Sequence, residues 1–255
     1  MQRYKKSFPL LLILLVVAVI TAMATLRGQE QAPPLSKEQR KIEFESQFPI
    51  ADYSAPESAD AEERAKRRAK GKKFNNSMMT VTPSDTDQVT TSSEHWAAGL
   101  PAIPADQSNA VVIVEVTDAR AYLSNDKTGV YSEFNVRVDD VLKNNCSRPL
   151  TCGSLTTIER PGGRVRFSSG HIGQYFTAGQ GMPRAGRRYL LFLTCKNQDE
   201  DFQVLTGYEL RGGRIFLLDN PGQGHPISAS HGKDELPFLN DVRAIIANSS
   251  QTIPK

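Results

Sequence analysis

Arg188-Tyr189-Leu190-Leu191-Phe192-Leu193-Thr194-Cys195 is an unbroken apolar run between the Gly186-Arg187 turn and the polar stretch Lys196-Asn197-Gln198-Asp199-Glu200-Asp201. It is too short for a stable helix and has turn signals on both sides, so it predicts a strand buried on both faces. A strand of that kind needs neighbours on either side. The apolar runs between Val111 and Leu218 supply them.

Upstream, Val111-Val112-Ile113-Val114-Glu115-Val116 opens a strand that continues through Ala119, Ala121 and Leu123. The cluster Ser124-Asn125-Asp126-Lys127-Thr128-Gly129 predicts a turn back into Val130–Leu142. There Ser132, Phe134, Val136 and Val138 alternate with Glu133, Asn135, Arg137 and Asp139, the pattern of a strand with one wet face. Leu155–Glu159 and Arg164–Phe167 follow as short strands around Pro161-Gly162-Gly163. Downstream come Phe202–Leu205 and a terminal hairpin, Tyr208–Leu210 and Arg214–Leu218, turning at Gly212-Gly213. Glu159-Arg-Pro-Gly-Gly-Arg and Glu209-Leu-Arg-Gly-Gly-Arg read as two hairpins with a common turn. Asp234 is placed as an N-cap, and Leu236, Leu239, Val242, Ile245 and Ile246 recur at helical spacing, so one helix should close the domain.

Short strands, frequent turns and one closing helix point to a mainly β fold: a small β-barrel with one C-terminal helix, preceded by an N-terminal hydrophobic helix and a disordered linker. The order of strands resembles the oligonucleotide/oligosaccharide-binding (OB) barrel, also seen in netrin-like and metalloproteinase-inhibitor domains. The Arg188–Leu193 strand is similar to that of exported bacterial proteins with an RYLLFL-type run. The resemblance covers roughly residues 110–219. It departs in two places. Ser168–Gly186 is a Gly-rich loop where an OB barrel carries a helix between its third and fourth strands. The first cysteine is Cys146, whereas the inhibitor domains use an N-terminal one, so the inhibitor function is not carried over.

The chain divides into residues 1–26, 27–109, 110–248 and a disordered tail, 249–255. Arg3, Lys5 and Lys6 precede Phe8–Leu26, which lacks a single charge. This is the layout of an export signal, with a cleavage site at Ala22-Met23-Ala24, or of an uncleaved membrane anchor. Both place the C-terminal domain outside the cytoplasm. Residues 27–109 are polar and are expected to form a disordered linker. Within it, Arg64, Lys66, Arg67, Arg68, Lys70, Lys72 and Lys73 form a candidate polyanion-contact arm, set against the alternative of a solvated spacer. The single tryptophan, Trp96, is expected to pack on the domain.

With 255 residues, 39% of them hydrophobic, the chain can bury one sizeable core; its net charge of +3 is too mild to suggest nucleic acid. The candidate binding surface is the Gly-rich loop with its flanks: Arg164, Arg166, His171, Gln174, Tyr175, Arg184, Arg187 and Arg188. There, cations interleaved with aromatics suit an anionic polymer or glycan. The contrary reading is a flap plugging one end of the barrel. No catalytic residue, metal site or cofactor is assigned. Of the three cysteines, Cys146 and Cys152 form a candidate disulfide, and Cys152–Cys195 is a second option. The favoured function is an exported or anchored cell-envelope protein with a binding module. The partners read from the chain are the membrane through Phe8–Leu26, an envelope protein, or an anionic polymer or glycan. The alternatives are an exported hydrolase using the Arg164–Arg188 loop and a purely structural envelope protein.

Overall fold

The computed structural model describes Ser36 and residues 48–251, apart from 78, 94 and 196–200. The chain divides into two units, residues 1–44 and 45–255, and every described element lies in the second. The expected N-terminal helix over Phe8–Leu26 lies outside the described residues. Among those described, no helix is long and apolar enough to cross a membrane.

The fold is mainly β with a C-terminal helix. The larger sheet contains β3 (Ala110–Leu123), β4 (Val130–Asn144), β5 (Leu155–Pro161), β8 (Arg188–Cys195), β9 (Phe202–Arg211) and β10 (Arg214–Leu217). Its order is β10-β9-β5-β4-β3-β8, and β8 also pairs with β9. The pairing path from β9 through β5, β4, β3 and β8 therefore returns to β9. All of these pairs are antiparallel except β5 with β9.

The opening stretch behaves as expected. Tyr189, Leu191 and Leu193 enter one core with Val112, Val114, Phe134, Val136 and Ile158. Leu190 and Phe192 enter the opposite core with Val111, Ile113, Tyr208 and Ile215. That second core is closed by helix α2 (Glu235–Gln251) through Phe238, Leu239, Val242 and Ile246. Leu236 and Ile245, which belong to the same predicted stripe, point to solvent. The helix runs past Asn248 into the expected tail. Trp96 packs against the second core and donates from Nε1 to Ala178 O at 2.9 Å.

The two Gly-Gly pieces differ. Gly212 and Gly213, both at positive φ, make a two-residue hairpin between β9 and β10. Gly162 and Gly163 instead form a corner where the chain leaves the larger sheet, so the reading of two like hairpins is corrected. A side chain at Gly163 would press on Ser132 Oγ, Val130 and Ala121. Beyond the corner, β6 (Gly163–Arg166) and β7 (Ile172–Thr177) make a hairpin flanked by β1 (Ile50–Asp52) and β2 (Gln88–Ser92) in a second sheet, ordered β1-β6-β7-β2. Six residues of the expected loop from Ser168 to Gly186 are thus strand. Alternation explains why: Gly173, Tyr175 and Thr177 are buried while Ile172, Gln174 and Phe176 are half-buried.

Residues 48–109 likewise differ from the expected linker. They supply β1, helix α1 (Ala61–Gly71), a 3-10 turn over Lys72–Phe74, and β2. Ala51, Met79 and Val81 join Val165, Phe167 and Tyr175 in a third core. These few apolar residues, scattered in a polar segment, suffice because the second sheet already presents their partners.

The disulfide joins Cys146, after β4, to Cys195, at the end of β8. This corrects both sequence pairings. Cys152 is free and exposed, and its Sγ lies 3.0 Å from Asp139 O.

Candidate binding groove

The β3–β4 turn is built around Asp126. Its carboxylate accepts from Ser124 Oγ at 2.6 Å, from Thr128 N and Oγ1, and from Asn76 N. These bonds, that from Ser124 foremost, hold its carboxyl well below the usual carboxylate range. The turn fixes Tyr122 and Tyr131 on the two strands leading into it. Phe74 stacks on Tyr131 with ring centroids 4.2 Å apart, and Arg67 lies 3.8 Å over the Tyr122 ring. Tyr53, just after β1, is covered by Lys127 Nζ at 5.0 Å, and the same ammonium donates to Tyr53 O.

Between β1, α1 and this turn lies a groove of about 460 Å³. Tyr53, Tyr122 and Tyr131 line it, with Arg64, Arg67, Arg68, Arg120 and Lys127 against Asp52, Glu57 and Glu63. A smaller recess of about 180 Å³ shares Arg67, Arg120 and Tyr122 and adds Lys66, Lys70, Glu133, Asn135 and Thr157. The combination suits a ligand with a flat or ring-shaped body and hydrogen-bonding or anionic substituents.

One wall of the groove is α1, which carries the basic run. Asp60 caps it by accepting from Glu62 N and Glu63 N. Arg67 bonds Glu63 and Glu133, each at 2.7 Å. Lys70 Nζ reaches Glu133 at 2.9 Å and Asp201 at 2.8 Å; Lys73 reaches Asp201 at 2.8 Å and Glu159 at 4.0 Å. Arg68 pairs with Glu57, and Arg64 donates to Ser58 O. Lys66 and Lys72 are exposed. Three of the arm's seven cations therefore sit on carboxylates of β4, β5 and the residue before β9.

Burial opposes the charge on Asp201, but its bonds to Lys70 and Lys73 outweigh that and lower its carboxyl. Lys70 is the converse case. Burial works against its ammonium, yet its bonds to Asp201 and Glu133 raise it. Glu159 is raised, chiefly by burial, and its Oε2 has no hydrogen-bond partner.

The residues read as a loop site are scattered. Arg164 and Tyr175 are buried, and the Tyr175 hydroxyl accepts from Gln88 Nε2 at 2.7 Å. Arg166 is exposed, and Gln174 is half-buried in β7. Arg184 lies 5.2 Å over the Phe48 ring. Arg187 pairs with Glu209 at 3.6 Å; Arg188 pairs with Asp139 at 3.3 Å and Glu235 at 2.8 Å. His171 sits 3.3 Å from Asp87, and the nearby Ser169 donates its hydroxyl to Ser84 O.

Sequence reading missed Tyr53, Tyr122, Arg120 and the carboxylates Glu133, Glu159 and Asp201. The one available signal was Glu133 on the wet face of β4, opposite a strongly basic run. No protein-family model, curated protein or solved structure matches this chain.

Proposed function

We propose that the protein is an exported or membrane-anchored cell-envelope protein whose domain is a binding module of OB type, taking an anionic or polar glycan in the Tyr53–Tyr122 groove. The pairing path that returns to β9, with β5 and β9 parallel, supports the barrel reading. In that reading the β6–β7 hairpin falls, in chain order, between the third and fourth barrel strands, the position of the OB helix. The observation that carries the ligand reading is the groove itself, where aromatic and guanidinium side chains line one space of about 460 Å³. The Phe8–Leu26 segment supports the location.

The test is a titration of the full chain with neutral and uronic-acid oligosaccharides, followed by chemical shifts or calorimetry. Tyr122→Ala and Tyr53→Ala are each expected to weaken binding about tenfold, the loss of one ring stack. Binding unchanged in both variants would remove the groove as the site. Intact mass in separated membrane and soluble fractions checks the location: a chain starting at Thr25 means a cleaved signal, and a full-length chain in the membrane means an anchor.

A further inference from the structure

Residues Ser54 to Lys73 contain no Val, Ile, Leu, Met, Phe, Tyr or Trp. This twenty-residue strap nevertheless crosses the outer side of β4 and β5. Its two ends are fastened differently from its middle. Before it, β1 pairs with β6, Ala51 is buried, and Tyr53 N donates to Arg166 O at 2.9 Å. After it, Phe74 stacks on Tyr131, Asn76 N donates to Asp126, and Met79 and Val81 are buried.

Between those anchors every alanine of the strap is exposed. What touches the sheet is charge: Arg67, Lys70 and Lys73 on Glu133, Glu159 and Asp201. The hydrogen bond from Asn125 Nδ2 to Arg68 O adds a polar contact. Apart from Arg67 stacked on the Tyr122 ring, no large side chain of the strap rests on apolar surface, so little hydrophobic burial resists its removal; the partly exposed Arg67 and Lys73 pairs are weakened by salt, the buried Lys70–Glu133 pair less so. Protonation is a poor lever at Asp201 and Lys70. Asp201 is lowered and Lys70 is raised, so both stay charged from mild acid to mild alkali.

We propose that this strap is a second binding site, for a linear polyanion, held shut by Glu133 of β4, Glu159 of β5 and Asp201 just before β9. Seven cations against four carboxylates give the strap a surplus positive charge. Released between two fixed anchors, it presents Arg64 to Lys73 together. A polymer bearing repeated carboxylate, sulfate or phosphate groups takes the place of Glu133, Glu159 and Asp201 and gains from multivalent contact. The absence of any large apolar side chain disfavours insertion into a lipid surface, which needs one.

The experiment uses the full chain. Amide exchange over residues 61–73 is expected to accelerate as salt rises from about 0.05 M to about 1 M, while β8 and β9 remain protected. Protection of the strap that does not change with salt overturns the proposal. Binding is then measured at low salt to polygalacturonate, dextran sulfate and polyphosphate. The Glu133→Gln/Asp201→Asn double variant, which unlatches the strap, is expected to bind at least about tenfold more tightly than wild type. Glu115→Gln/Asp140→Asn removes the same charge away from the strap and is expected to change binding less than about twofold. Equal gains in the two variants would mean a net-charge effect and would sink the latch. Preference among the three polymers identifies the anionic group. Binding to vesicles rich in phosphatidylglycerol, with none to the polymers, overturns the polymer assignment. The exchange and polymer measurements are made with no glycan present, and Tyr53→Ala, at a ring that meets Lys127 and Phe167 rather than a strap cation, is the variant that tests the groove alone, so the two proposals fail separately.

Discussion

Arg160 gives its terminal nitrogens to both oxygens of Asp219, at 2.7 and 2.9 Å, and neither side chain reaches solvent. Asp219 Oδ1 also accepts from Gly181 N, so the pair ties β5 to the connection before β8 and to the chain after β10. Removing one member leaves the other charged and buried. Arg160→Ala is expected to cost about 3–5 kcal/mol, read from urea midpoints, whereas Arg160→Met/Asp219→Leu recovers part of that loss. Nothing in Glu159-Arg160-Pro161 advertised the pairing, because its partner is 59 residues away and the neighbours on both sides are ordinary strand and turn residues. Glu159 makes a pH prediction. Burial raises its carboxyl, so the stability gained by protonation is present below the unfolded value of about 4.3 and is lost as pH rises through the raised folded value. Glu159→Gln keeps a hydrogen-bonding amide beside Gln203 and escapes that loss. Its stability relative to wild type should be higher at pH 8 than at pH 4; equal differences at the two pH values would show that the carboxyl titrates alike in both states.

At the scale of elements, strands were legible where both faces or one face had to be buried. β8 was read from its unbroken apolar run, and β4 from its alternation, because period and burial are local properties of sequence. Leu191→Ala in β8 should cost about 2–5 kcal/mol, since the side chain is fully enclosed. β1, β2 and the docking of α1 were not legible. Their pairing partners lie far along the chain, and α1 docks by charge, leaving no apolar stripe to find. The Arg67 pairs are partly exposed and worth about 1 kcal/mol or less each, whereas Lys70–Glu133 is buried. Arg67→Ala should therefore shift global stability by about 1 kcal/mol while raising amide exchange across Ala61–Gly71, a separation that distinguishes strap from core. The groove was hidden for the same reason, since it exists only where α1, β1 and the Ser124–Gly129 turn converge.

For the whole molecule, the Cys146–Cys195 bond fastens the chain after β4 to the end of β8, closing a separation of 49 residues. The spacing of Cys146 and Cys152 suggested a short local loop, and sequence distance was a poor guide because β3 lies between β4 and β8 in the sheet. Loop-closure entropy puts the bond at about 4 kcal/mol. Reduction should lower the urea midpoint accordingly, and Cys152 should react with an alkylating reagent before any reductant is added. If Cys152 is protected instead, the pairing is wrong.

The wall that α1 gives to the groove couples the two proposed sites. A glycan seated between Tyr53 and Tyr122 needs the strap in place, and a polyanion needs it away. Each ligand must then weaken the other by the same factor, whichever is added first. The domain would work as an exchanger, releasing one polymer as it takes hold of another, with ionic strength setting the balance.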